Sequence, residues 1–294
     1  MRNFLVSALI LPLSMAVPSA YAQDAAIHAH AYRPNDVLRY RYDDSDTTYC
    51  GDTKDGVVIT SKPLQVQQIQ INTESQVVKV GSGLEHSMTI LDSSMYRRGS
   101  ADSLTSVAFS PISTLLKGIP HPLSYHYPDE SFALTHLFDL FKGAFSGANV
   151  MSDPVSQFLF FKMQDVHQMQ ASALGLRDGF VPGQSYVIAG KATTGLGGNF
   201  TSGDAFYEYV GVQQMENHRV ALIRVNDLGN QFSTKAMHVY TNFTYQMLIA
   251  LDGPKRGLLM SGSGQETAYP VMSQPSGECH QPVLQRQFSI TLQP

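Results

Sequence analysis

Cysteine is nearly absent from this chain, charge is scarce, and no long apolar run follows the N-terminus. Each shortage removes a class of protein. The 294 residues hold two cysteines, Cys50 and Cys279. Their spacing excludes a C-x-x-C redox centre, and two thiolates alone do not build a structural zinc site. Charged residues are 15% of the chain and the formal net charge is −4, so no basic footprint points to nucleic acid. The same low charge, without runs of one sign, argues against disorder. After the first residues no stretch approaches about 18 uninterrupted apolar positions, the length a spanning helix needs.

Catalytic fingerprints are missing too. No G-x-S-x-G elbow exists; MSGSGQ at 260–265 has the wrong spacing and is expected at a strand end or loop. The H-E-x-x-H, P-loop and dinucleotide-binding patterns do not occur. GLGGN at 195–199 is glycine-rich but opens no helix and lacks a following Lys-Ser/Thr, so it reads as a loop.

What is present begins with an address. Arg2, an apolar segment from Phe4 to Val17 and the small-x-small site Ala20-Tyr21-Ala22 make residues 1–22 a cleavable signal peptide. No cysteine sits near the cleavage site, which argues against a lipid anchor. The expected product is one exported β-rich domain, 23–294, in the periplasm or outside the cell. In an oxidising compartment Cys50 and Cys279 then pair as a disulfide. Closing a loop of about 230 residues stabilises by roughly 5 kcal/mol at most on chain-entropy grounds.

The strongest structural signal is Ala236–Asp252. Met237, Val239, Phe243, Tyr245, Met247, Ile249 and Leu251 share one parity, and mostly polar or small residues share the other. Alternation this long means a β-strand with one dry face. Val37–Tyr42, Val57–Thr60, Leu64–Ile71, Gln76–Val80 and segments from Ser185 to Leu292 alternate similarly between turn signals. The slip at Gln67-Gln68 suggests a bulge. DDSDTTYCGDTKD at 43–55 lacks the spacing of a calcium loop and reads as a solvated connection. Tyr32-Arg33-Pro34-Asn35-Asp36 is echoed by Phe180-Val181-Pro182-Gly183-Gln184, and two independent turns meeting one steric demand explain the echo more simply than a repeat.

Between about 105 and 175 the period changes. Leu134, Leu137, Phe138, Phe141 and Phe145 recur at helical spacing. Asp153-Pro154 supplies a cap and an N1 proline to a second helix, with Val155, Phe158, Leu159, Val166, Met169 and Ala173 as its stripe. The expected fold is therefore mainly β (α+β): antiparallel, curved sheet with an inserted helical hairpin packed on it.

Two clusters invite function. Phe158, Phe161 and Met163, with Tyr245 and Met247, exceed what one helix face needs, and mark a candidate site for a hydrophobic small molecule or lipid. His121, His126 and His136, with Asp129 and Glu130, lie within 16 residues and are candidate metal ligands, although in no recognised order. No cofactor is called for. The leading expectation is a non-enzymatic carrier of a hydrophobic ligand or envelope component. A periplasmic hydrolase or metal enzyme using 121–136, and an envelope assembly protein with a protein partner, are the alternatives.

Overall fold

The computed structural model describes residues 25–28, 30–54, 57–80, 83–99, 103–107, 121–123, 169, 173, 176–190, 192–195, 198–233, 237–272 and 282–294. Among them, thirteen strands form one antiparallel sheet. The N-terminal meander is β1 (Val37–Lys54), β2 (Val57–Val80) and β3 (Gly83–Gly99), flanked at β3 by the short β4 (Thr105–Ser106) and β5 (His121–Leu123). The C-terminal meander is β9 (Asp204–Met215), β10 (His218–Ser233), β11 (Met237–Ala250), β12 (Leu259–Met272) and β13 (Pro282–Leu292). β6 (Ser185–Ile188) pairs with β9, while the hairpin β7 (Ala192–Gly195) and β8 (Gly198–Thr201) joins β10 through β8. β13 pairs with β1, so the two meanders become one sheet. Ten strands run in the order β4-β3-β2-β1-β13-β12-β11-β10-β8-β7, and among the described residues this path does not close on itself.

The long alternating segment becomes β11 with the expected faces: Tyr245, Met247 and Ile249 are buried and Gln246 is exposed. The same dry face carries Tyr40 and Tyr42 of β1, Ile69 and Ile71 of β2, Met88 and Ile90 of β3, and Ile223 and Val225 of β10. Each such side chain contributes roughly 1.5–3 kcal/mol by leaving water. Ile27 docks on this core by pairing with Phe180. From the expected insertion, Met169 and Ala173 are buried in it as well. Met169 lies where a side chain on Gly262 would be, since a Cβ there would stand 2.4 Å from its methyl carbon. Gly264, two residues on, makes equivalent room beside Tyr245 and Phe288. MSGSGQ is thus the interior of β12, its glycines spaced two apart to admit neighbours on the dry face. Of 108–168 only 121–123 are described, as strand β5, and the expected helical hairpin lies outside the described residues apart from Met169 and Ala173.

Several expected boundaries move. The three short strands expected within 57–80 are one 24-residue strand. No register shift occurs at Gln67-Gln68; β2 slips against β3 between Asn72 and Thr73 instead. The polar segment 43–54 continues β1 rather than looping. Asp44 and Asp46 keep the inward parity of Tyr40 and Tyr42, and they are buried because a cation meets them there. Asp227-Leu228-Gly229-Asn230, whose residue types suit a turn, is a bulge inside β10, with Gly229 at φ 82°. Asn230 Nδ2 donates to Asp227 (2.9 Å), and the Gly229 amide donates to Asn242 Oδ1 (2.8 Å). At this bulge the flank of β10 changes from β9 to β8.

The echo at 32–36 and 180–184 has a common geometry. Asn35 and Gly183 both have positive φ, 74° and 82°. Asp36 donates to the Arg33 carbonyl and Gln184 to the Val181 carbonyl, each closing a turn with proline at its second position. Asn35 and Asp36 then bracket Val77 as Gly183 and Gln184 bracket Tyr209, through the same pair of backbone bonds. The steric demand and the ladder entry are both repeated.

Candidate functional site

Two polar constellations stand out, one on each face of the sheet. On the dry face, Arg286 of β13 is 5% exposed. Its Nε donates to Asp44 Oδ2 (2.5 Å), and one terminal nitrogen donates to Glu266 Oε2 (3.0 Å). Asp46 Oδ1 stands 3.8 Å from Nε, and the other terminal nitrogen donates to the Tyr42 hydroxyl. Tyr42 in turn donates to Asp44 (2.7 Å). The register makes this inevitable: Arg286 lies opposite Asp46 on one side and Glu266 on the other. One guanidinium thus ties together β1, β12 and β13, across the seam between the two meanders. Glu266 faces Phe243, which faces Asp227. Burial pushes the Asp227 carboxyl up from its ordinary value, while the bond from Asn230 pulls it down less strongly. Among the described residues, three acids gather about the Arg286 guanidinium in this buried belt and hold the seam together.

The other face carries a trough of about 990 Å³, floored by the wet side of seven adjacent strands, β3 to β10. Residues opposite one another in an antiparallel ladder point the same way, so the register defines rows across the sheet. One row starts at Ser94 on β3 and passes Gln70, Asp43, Ser289 and Ser263 to Gln246 and Arg224. A second runs parallel to it two residues along each strand. It starts at Tyr96, crosses Gln68, Ser45, Gln287 and Gln265, and reaches Thr244 and Asn226. The next residue of that row, on β9, is Phe206. Tyr96 and Phe206, 42% and 39% exposed, therefore stand at opposite ends of one polar row.

The charged side chains on the wet face of the floor, Asp43 and Arg224, are each paired. Asp43 holds the Arg41 guanidinium through two bonds (2.8 and 3.0 Å), and Arg224 is held by Glu208 (2.8 Å). With its amide oxygen turned to the guanidinium, Gln70 also accepts from Arg41 Nε (2.6 Å). Gln246 Nε2 reaches Ser263 Oγ at 3.4 Å, too long to bind either group firmly. Amides and hydroxyls dominate what remains, each both donor and acceptor.

Of the residues singled out from the sequence, Tyr245 lines this trough. Tyr245 and Met247 are buried in the main core on β11. Phe158, Phe161 and Met163 lie outside the described residues. His121 sits on β5 opposite Met88, and His126 and His136 are outside the described residues. Cys50, near the end of β1, lies opposite Pro282, and Cys279 is outside the described residues. Sequence reasoning missed the trough, although its signal was present: Gln and Ser recur at alternate positions in the wet parity of three strands, as Gln68 and Gln70 on β2, Ser263 and Gln265 on β12, and Gln287 and Ser289 on β13.

No protein-family model matches the chain, and no curated protein matches it. Among solved structures, a loop-deletion mutant of OmpT, an outer membrane protein of Vibrio cholerae, aligns over 89% of this chain and 100% of its own, at 8% identity and a TM-score of 0.14. A likeness that low carries no argument. Among the described residues no helix is long and apolar enough to cross a membrane.

Proposed function

We propose that this is an exported binding protein whose ligand lies in the polar trough, and that it acts without catalysis. The observation that carries this is the second row: six amide or hydroxyl side chains in unbroken register between two exposed aromatics. Such a floor offers many convergent hydrogen-bonding groups and no nucleophile–base pair. The signal peptide and the Cys50–Cys279 disulfide belong to the same proposal. The position of Cys50 supports the bridge, because its partner strand begins at Pro282, three residues after Cys279.

Hydroxyl-radical footprinting tests the site. Polysaccharide, peptide and lipid fractions of a bacterial envelope are presented separately to the full mature protein. Protection of Tyr96 and Phe206 by one fraction is expected. Unchanged labelling of both with every fraction overturns the reading.

A second reading keeps the hydrophobic ligand, held between the insertion and the dry face near Phe158, Phe161, Met163, Tyr245 and Met247. The burial of Met169 against Gly262 supports it, because it puts one residue of the expected insertion on that face. Organic extraction of the purified protein tests it: a stoichiometric lipid is expected, and a clean extract contradicts it. The enzymatic alternative, with His121, His126 and His136 on a metal, requires stoichiometric metal in the purified protein.

A further inference from the structure

We infer that the trough's ligand is a neutral glycan chain lying across the strands. The inference rests on the trough being the binding site. Three features select this chemistry.

Charge comes first. Arg41 and Arg224 each carry a carboxylate partner at 2.8 Å, so the floor holds no spare cation for phosphate or carboxylate. The chain's net charge of −4 further disfavours an anionic polymer. A ligand charged in either sense would break one of these pairs and leave an ion to be resolvated.

Hydrogen-bonding capacity comes second. Gln68, Gln287 and Gln265 on neighbouring strands each present one acceptor and two donors, interleaved with Ser45 and Thr244. Sugar hydroxyls are themselves donor and acceptor at once, and they match this mixture whichever way each amide is turned. A lipid tail would desolvate these groups without replacing their bonds, at a cost of roughly 1–3 kcal/mol for each group. An extended peptide binds by adding to a strand edge, whereas this site is the face of central strands.

Geometry comes third. The strands repeat about every 4.8 Å, close to the advance of an extended pyranose chain per sugar. A glycan crossing the sheet therefore meets one polar side chain of the row per residue. Tyr96 and Phe206 at the two ends offer exposed ring faces on which the apolar faces of sugar rings stack.

The test is isothermal titration of the full mature protein with three neutral hexasaccharides: cellohexaose, maltohexaose and N-acetylchitohexaose. Binding of at least one is expected, strengthening from disaccharide to hexasaccharide. Tyr96→Ala should weaken it by about tenfold, the equivalent of one good stacking contact. Gln265→Leu should do the same with an unchanged melting temperature. If none of the sugars binds while the peptide or lipid fraction still protects Tyr96 and Phe206 in footprinting, the glycan assignment falls and the trough stands. If the sugars fail and no fraction protects those rings, both fall. Binding that survives Tyr96→Ala and Gln265→Leu undiminished also overturns the assignment.

Discussion

Replacing Arg286 by methionine removes the cation from a belt holding three buried acids. Asp44, Asp46 and Glu266 are 4%, 6% and 8% exposed, and Arg286 lies 2.5, 3.8 and 3.0 Å from their nearest oxygens. Methionine fills much of the space but supplies none of the charge. Breaking a buried ion pair from one side typically costs about 3–5 kcal/mol, because the remaining charge keeps its desolvation penalty. Three acids share this cation, so the upper part of that range is expected. It is a large fraction of the roughly 5–15 kcal/mol that holds a domain together. The loss should appear in urea denaturation at pH 7 as a lower midpoint with an unchanged slope. As pH falls toward the ordinary carboxylate range the acids of Arg286→Met protonate and the deficit against wild type should shrink. Adding Asp44→Asn, Asp46→Asn and Glu266→Gln to Arg286→Met should recover most of the stability at pH 7, since a belt without charge has no cation to miss. A loss under about 1 kcal/mol at pH 7 for Arg286→Met alone would refute the reasoning, being the size of an exposed pair.

Gly264→Ala places a Cβ 2.7 Å from the Thr244 backbone oxygen and 2.5 Å from Tyr245 Cβ, so the β11–β12 ladder must move; a loss of about 1–3 kcal/mol or more is expected in thermal denaturation. Asp227 has a folded-state carboxyl raised above its unfolded value, so its ionisation costs stability above the unfolded range and the cost disappears as pH falls below it. Asp227→Asn keeps an oxygen to accept from Asn230; it should raise the melting temperature at pH 7 and give no advantage near pH 3, and a pH-independent difference would contradict this. Cys50→Ser or treatment with a strong reductant should cost about 2–5 kcal/mol in the mature protein if the Cys50–Cys279 bridge forms. Equal unfolding midpoints with and without reductant would remove the bridge from the account.

The sheet's parity was legible in the sequence wherever apolar residues marked one face. Tyr40 and Tyr42, and then Tyr245 to Ile249, show it at a glance. It became illegible where a polar residue held the inward position. Asp44 and Asp46 look like a solvated loop because the cation that buries them is Arg286, some 240 positions away and visible only once β13 is set against β1. The same limit hid the trough. Gln68, Gln265 and Gln287 are unremarkable alternating residues in their own segments, and they form a row only through strand order and register. Turn chemistry misled at Asp227 to Asn230, where residues suited to a hairpin serve a bulge inside a longer strand. It informed at Asn35 and Gly183, where the proline-led echo corresponds to one repeated backbone geometry.

The measurement that bears most directly on the account compares wild type with a doubly substituted Ser263→Tyr, Ser289→Tyr variant, each purified gently from an exporting host and weighed by native mass spectrometry. The two serines face one another across β12 and β13 on the trough floor, and tyrosine suits a strand while filling the space above it. A polar, water-extractable ligand is expected on the wild type, none on the variant, and matching melting temperatures. The same adduct on both proteins, or one that partitions into organic solvent, would contradict that expectation.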